Sequence, residues 1–478
     1  MELRDIQFGY ADARTEAEHN PKLLLEAYYE PALADALWND EQFLVLGPKG
    51  AGKSAIAWRL QLEAKSDPTK FVKVLELGQF PFKSFAKIRL DSSEEKSSYS
   101  ASWKYLLYVQ MLQQVIEDQS LQYSDYREFS RFVDSLRYYN VLPAEGLDRM
   151  VTKSKTKKFQ MGLRSMLQAE FSETLERGSV DLLDLLEVFE SRLNDLSSDS
   201  EYRLIIDGLD DLLSDRNNQF EIIAALVYAV KTINETLRTS ALDAKVILLV
   251  RSDVYEKLPD SNLNKVQRDY GLKIEWYDEV GPMSESRLLK LVNLRAKISC
   301  DENVNVVHRW LPRSIRGKND VEKYLLELTR HRPRDIIQLF NELKGCSSHG
   351  RLTEGQVFSA EKRYSRDYLL REMRDEVRGL LDDGLNDVAF EIVFSIRKAE
   401  FSLEDAYQAA DQFGVSNREV IQILRQLFEC GMIGMKDVCE ARGYTTFKYR
   451  SPAAVFSTAG MRYIIHRGIR KAANLASA

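Results

Sequence analysis

Cysteine is scarce in this chain and histidine nearly so: Cys300, Cys346, Cys430 and Cys439 form no C-x-x-C pair, and there are five histidines. A disulfide framework and a zinc cluster are thereby excluded as organising elements, and a reducing, cytoplasmic location is expected. Long hydrophobic runs are missing too. The longest, such as Val246 to Val250, reach about six residues against the roughly 20 that a membrane helix needs, so no membrane partner is expected. The opening MELRDIQFGY carries acids and no apolar core, unlike a signal peptide. Charge of one sign is not in large excess: 67 basic and 73 acidic residues leave a net charge of −6, so any nucleic-acid contact must be local. With 44% hydrophobic residues, 23 Gly and 11 Pro, disorder and collagen-like structure are excluded.

What remains is a chain of 478 residues, long enough for about three domains. Short apolar runs read as buried strands at Phe43–Leu46, Phe71–Leu75, Leu204–Ile206, Val246–Val250 and Leu272–Trp276, with helices between them, notably Phe220–Leu237. Such alternation marks an α/β fold with a parallel sheet and helices on both faces. Residues from about 80 to 200 are charged and helical in period, with almost no strand signal, and read as an insertion. The expected organisation is a core over 1–280 carrying that insertion, an all-helical lid subdomain over 281–375, and a winged helix over 376–478. Pro333 opens one lid helix, where its missing N–H costs nothing. In the last part, Ser402 with Asp405 and Ser416 with Glu419 have capping-box spacing, and Gly431 ends the second helix. Met432–Ile433 and Thr445–Tyr449 then alternate like the two strands of a hairpin.

The segment Gly47-Pro48-Lys49-Gly50-Ala51-Gly52-Lys53-Ser54 follows a strand, opens a helix through Ala55, and fits G-x-x-x-x-G-K-[ST]. Glycines let successive N–H groups point at phosphate oxygens, and the helix N-terminus adds positive potential. The pattern assigns Lys53 to the β- and γ-phosphates of ATP and Ser54 to Mg²⁺. Asp207, after Leu204-Ile205-Ile206, ends a strand and is the second expected Mg²⁺ ligand. Asp210 or Asp211 would orient the attacking water, or would simply cap the next helix. Arg251 ends the following strand, where it would touch the γ-phosphate or pair with Asp253. In His331-Arg332-Pro333-Arg334-Asp335, Arg334 is the residue expected to fold over the nucleotide.

The set Gly47–Ser54, Asp207-Gly-Leu-Asp-Asp, Arg251 and Arg334 resembles the STAND and AAA+ ATPases. The D-G-h-D-[DE] form is similar to the STAND metal motif; the AAA+ form has glutamate where this chain has Gly208. A lid followed by a winged helix is similar to the origin-recognition branch. Phe8-Gly9-Tyr10-Ala11-Asp12-Ala13 and Ile274-Glu275-Trp276, with the phosphate loop, resemble a narrower bacterial group, some lying beside antiphage-defence or restriction genes. The resemblance implies an ATP-hydrolysing switch that works as a homo-oligomer, with an arginine supplied in trans, for which Arg295 is the trial assignment. It also implies an effector protein encoded nearby.

From Lys436 onward eight basic residues face two acids, interleaved with Tyr444, Phe447 and Tyr449. In a winged helix the second helix of the pair enters the major groove and the wing follows the backbone. Arg418 and Arg425 on that helix, with Lys448 and Arg450 on the wing, are the candidate duplex-DNA contacts. Docking of a protein is the alternative. Lys153, Lys155, Lys157 and Lys158 read as a solvated loop, with nucleic-acid contact as the second reading. Three functions stand: a nucleotide-switched ATPase, a DNA-loading ATPase, and a scaffold whose nucleotide is structural.

Overall fold

The computed structural model describes residues 1–78, 85, 95–138, 141–142, 149–150, 182–209, 216–260, 262–277, 285–378, 381–438 and 444–475. The chain divides into two compact units. One comprises Glu30–Pro48 with Lys53–Ile274; the other comprises Met1–Tyr29, Lys49–Gly52 and Glu275–Ala478.

The first helices of the chain, α1 (Ala13–His19) and α2 (Pro21–Glu26), belong to the second of these units. Asp12 caps α1 by accepting from the Thr15 N–H at 2.8 Å, and Pro21 sits in the first turn of α2. Phe8 is fully buried and its ring lies 5.2 Å from that of Phe340. Gly9 has φ of +112°, and a Cβ there would fall 1.9 Å from Nη1 of Arg295. Only glycine can stand at that point.

The sheet unit opens with α3 (Pro31–Asn39), β1 (Leu44–Gly47), α4 (Lys53–Ser66) and β2 (Lys70–Glu76). After it come α5 (Glu95–Val115), β3 (Gln122–Tyr123), α6 (Tyr126–Tyr138) and α7 (Leu182–Asn194). The unit closes with β4 (Leu196–Asp207), α8 (Arg216–Leu237), β5 (Ala241–Arg251), α9 (Leu263–Tyr270) and β6 (Gly271–Lys273). The strand order is β2-β4-β5-β1-β6, all parallel, with β3 added antiparallel to the start of β4. This is an α/β core built on a parallel sheet. Every residue of β1 is buried, as are Val246 to Val250 of β5, which is why those strands are unbroken apolar runs. Asn234 of α8 ties helix to sheet, donating to the Val246 carbonyl and accepting its N–H.

The described residues of the insertion are helical as expected, but two strand segments among them escape the apolar pattern. The first half of β4, Leu196-Ser197-Ser198-Asp199-Ser200, is polar, and it pairs with β3. Its partners are hydroxyls: Asp118 accepts from Ser198 at 2.7 Å and from Tyr202 at 2.5 Å. The insertion packs back on the core through the buried Trp103, whose Nε1–H donates to the Ile222 carbonyl at 3.0 Å.

In the other unit the lid helices are α10 (Arg287–Cys300), α11 (Val306–Trp310), α12 (Val321–Leu326), α13 (Pro333–Cys346), α14 (Glu354–Arg363) and α15 (Leu370–Val377). The winged helix follows: α16 (Asp383–Ser395), β7 (Glu400–Ser402), α17 (Leu403–Asp411), α18 (Asn417–Glu429), β8 (Ile433–Asp437) and β9 (Met461–Ile465). Both capping boxes form as read from the sequence, and Gly431 has φ of +75° past α18. The hairpin is corrected. β8 pairs with β9, in a sheet ordered β7-β9-β8, and Thr445–Tyr449 contributes a single bridge, Thr446 to Met435. Its alternation arises from burial of Phe447 against Gly434, and the chain then turns, the Arg450 N–H donating to the Phe447 carbonyl at 2.9 Å.

Among the described residues no helix is long and apolar enough to cross a membrane.

Candidate functional site: the phosphate loop

The loop after β1 takes the backbone that its glycines allow. Gly50 has φ of +78° and Gly52 of +107°, in the left-handed region that other residues avoid. Lys53, first residue of α4, is buried, and its Nζ donates to the carbonyls of Gly47 at 3.0 Å and Pro48 at 3.1 Å. The ammonium therefore sits in the mouth of its own loop. Ser54 and Ala55 follow in the first turn of α4, both half-buried.

The register fixes what flanks the loop in the sheet unit. Gly47 lies opposite Arg251 on β5, the strand paired directly with β1. Asp207 closes β4, one strand further out rather than on the neighbouring strand. Parallel pairing brings the carboxyl ends of β1, β5 and β4 to the same edge of the sheet. Asp207 is half-buried and its Oδ1 accepts the Gly208 N–H at 2.8 Å. Gly208 has φ of +82°, and a Cβ there would meet the backbone N of Leu77 and Gly78 at 3.1 Å. A glutamate after Asp207 would need a different chain path. Asp210 and Asp211 lie outside the described residues, as do Lys153, Lys155, Lys157 and Lys158.

Arg251 is buried and donates from Nε at 2.9 Å and Nη2 at 2.6 Å to the two carboxylate oxygens of Asp253. Burial alone would raise the Asp253 carboxyl. The Arg251 guanidinium, through charge and hydrogen bond, then Lys257 and Lys53, hold it below the usual carboxylate range. The ion pair weighed from the sequence is thus present, with the Arg251 side chain 6% exposed and that of Asp253 34% exposed.

In the second unit, the loop residues Lys49–Gly52 sit beside the start of α13. The Arg334 N–H donates to the Gly50 carbonyl at 3.3 Å. Arg334 and Lys49 both approach Glu372 of α15, at 3.6 and 3.5 Å. The Trp276 indole N–H donates to the Ala51 carbonyl at 2.8 Å. Behind Arg334 is a buried network that the sequence did not announce. Arg330 binds Asp335 and Glu376, and Arg332 binds Glu376 at 2.6 Å. Burial would raise Asp335, but Arg330 and Arg332 bring it down to about 2.

Arg295 is corrected as a trans arginine: it is 6% exposed and its Nη1 and Nη2 donate to the Glu16 carboxylate and the Phe8 carbonyl. It fastens the N-terminal segment to α10. On the winged helix, Arg418 and Arg425 are exposed on α18. Lys448 and Arg450 do not lie free on a wing. Lys448 is 3.5 Å from Glu429 and donates to the Ala454 carbonyl, and Arg450 lies among the rings of Tyr277, Phe447 and Tyr449.

The donor set fits a magnesium nucleotide. A buried ammonium and the loop's backbone N–H groups suit phosphate, and a hydroxyl and a carboxylate are the hard oxygen ligands Mg²⁺ accepts alongside phosphates.

Residues 286–371 match the family model of the FunZ-associated C-terminal helical domain. The chain is 24% identical over 365 residues to a putative transposon gamma-delta 80.3 kDa protein of Escherichia coli (strain K12), covering 72% of this chain and 48% of that one. It thus spans about half the length of the curated relative it matches. Among solved structures, Cdc6p from Pyrobaculum aerophilum aligns over 96% of this chain and 93% of its own at 10% identity and a TM-score of 0.29. The RuvB Holliday junction branch migration motor of Thermotoga maritima aligns over 97% and 96% at 13% identity and a TM-score of 0.30. The strand order and the glycine-rich loop after β1 define the fold.

Proposed function

We propose that this chain binds and hydrolyses ATP and acts as a nucleotide-controlled switch or motor. The observation that carries the reading is Lys53, buried with its ammonium in the mouth of a loop whose Gly50 and Gly52 hold positive φ. Lys53 and the backbone of Gly47, Pro48, Lys49, Gly50, Ala51, Gly52, Ser54 and Ala55 hold the phosphates. Ser54 and Asp207 hold Mg²⁺, which when bound offsets the charge of the β- and γ-phosphates. Arg251 exchanges part of its pairing with Asp253 for the γ-phosphate, and Asp210 or Asp211 orients water. Arg334, bonded through its N–H to Gly50, conveys nucleotide state to the lid. The subdivision proposed is a core over 1–280, lid over 281–375 and winged helix over 376–478, in a cytoplasmic homo-oligomer. A role in antiphage defence, with an effector encoded nearby, rests on the sequence resemblance alone.

A second reading, a DNA-loading ATPase, is favoured by one observation: Arg418 and Arg425 stand exposed, two turns apart, on the second helix of the winged helix. ATP turnover with and without duplex DNA tests both. Turnover stimulated by duplex and lost in Arg418→Ala/Arg425→Ala supports the second reading. Turnover indifferent to duplex leaves the partner-protein switch. Tight nucleotide retention without turnover rejects both in favour of a scaffold.

A further inference from the structure

Within the second unit a cleft of about 530 Å³ opens along the winged-helix sheet and the lid. Five cationic side chains line it, Arg316, Lys318, Arg450, Arg467 and Arg470, against one carboxylate, Glu327. Glu327 is taken by Arg467. Among the described residues, Arg316, Lys318, Arg450 and Arg470 have no carboxylate within ion-pair distance. Concentrating like charge this way is unfavourable unless an anion joins it. Arg470 donates from Nε to the Ile465 carbonyl at 3.1 Å, and Arg316 and Lys318 are exposed to solvent.

The wall is aromatic as well as cationic. The guanidinium of Arg450 lies 5.6 Å from the ring centres of Phe447 and Tyr449, and its Nε is buried with no hydrogen-bond partner. Arg467 lies 4.2 Å over the ring of Tyr324. Flat rings beside planar guanidinium groups suit a base, and the guanidinium forks suit phosphate oxygens. The volume falls in the range of small-ligand sites, roughly 300–1,000 Å³. A cleft of that size seats a dinucleotide.

We propose that this cleft is a second anion site, which takes a small nucleotide bearing monophosphate or phosphodiester groups. The probe is the 5′-phosphorylated dinucleotide pApA, which lacks the β- and γ-phosphates a phosphate loop selects. It is titrated calorimetrically into the full-length chain and into Lys53→Ala. The expected result is saturable binding that weakens as salt rises and persists in Lys53→Ala. Arg470→Gln weakens it about tenfold, as loss of one charge-assisted bond does, and Lys318→Gln about threefold. Arg316→Gln, on an exposed residue, serves in place of Arg470→Gln if that variant does not fold, and Lys297→Gln, exposed on α10 outside the cleft, leaves the affinity unchanged. No binding of pApA overturns the proposal, as does binding lost in Lys53→Ala or indifferent to all the cleft variants. Retention of a 20-base-pair duplex through these residues, without binding of pApA, gives the cleft to nucleic acid and overturns it too.

Discussion

Replacing Arg295 by methionine separates a structural arginine from a catalytic one. The side chain is 6% exposed, and its partner Glu16 is 2% exposed. The two bonds to the carboxylate measure 2.9 and 2.7 Å, and a third, to the Phe8 carbonyl, measures 2.7 Å. Glu16 also accepts the Tyr10 N–H at 2.8 Å. Arg295→Met leaves that carboxylate buried without its counter-charge, which costs about 3–5 kcal/mol. Adding Glu16→Gln removes the stranded charge while its amide oxygen still accepts from Tyr10 and its amide nitrogen is available to Phe8. The double variant therefore recovers part of the loss, and the coupling energy from the cycle is about 2–3 kcal/mol. Urea unfolding of wild type, both single variants and the double variant measures it. Strictly additive losses, or an Arg295→Met variant within about 1 kcal/mol of wild type that has nonetheless lost ATP turnover, would refute the structural assignment and restore Arg295 as a reacting-site residue.

Two further outcomes follow from buried groups. Burial, with added repulsion from Arg450 and partial opposition from Asp335, lowers the His331 imidazole to about 3. The unfolded chain takes up that proton near pH 6.5 and the folded one does not. Stability from this group is thus complete above pH 6.5 and drains as pH falls toward 3, by about 2 kcal/mol at pH 5. His331→Asn, which suits the φ of +51°, shows a correspondingly smaller loss between pH 7 and 5; an identical loss in both proteins contradicts the reasoning. Gly208→Ala forces an L-residue to φ of +82° with its Cβ 3.1 Å from two backbone nitrogens. It lowers stability by roughly 1–3 kcal/mol and slows turnover by displacing Asp207, and an alanine variant as stable as wild type in urea would show the turn to be unstrained.

Strands whose whole length is buried were legible because nothing but apolar residues survives there. That is why β1 and the end of β5 stand out in the text, and why Asp207 and Arg251 can be placed at strand ends without coordinates. The polar half of β4 was not legible, because its pairing is supported by the Asp118 carboxylate and its hydroxyl partners, which leave no period-two pattern. The wing misled for a related reason: Phe447 alternates because one ring fills the space above Gly434, while the true partner strand, Met461–Ile465, lies beyond a turn. The backbone of the loop after β1 was readable, since Gly50 and Gly52 encode its positive φ values. What lies around it was less so. Arg330, Arg332, Asp335 and Glu376 form their network from positions up to 46 residues apart, and no local spacing announces such a pairing. The interleaved cations and rings of the last segment read as a nucleic-acid face, whereas Arg450 turns inward.

The central claim is that Lys53 holds phosphate in a working ATPase. Steady-state release of phosphate from Mg²⁺-ATP by the purified full-length chain, against Lys53→Ala prepared in parallel, tests it most directly. The account predicts turnover in the wild type that falls at least a hundredfold in the variant, the loss of about 2.7 kcal/mol expected when one charge-assisted contact to the transferring phosphoryl group is removed. Equal release by the two proteins, with both folded, would contradict it.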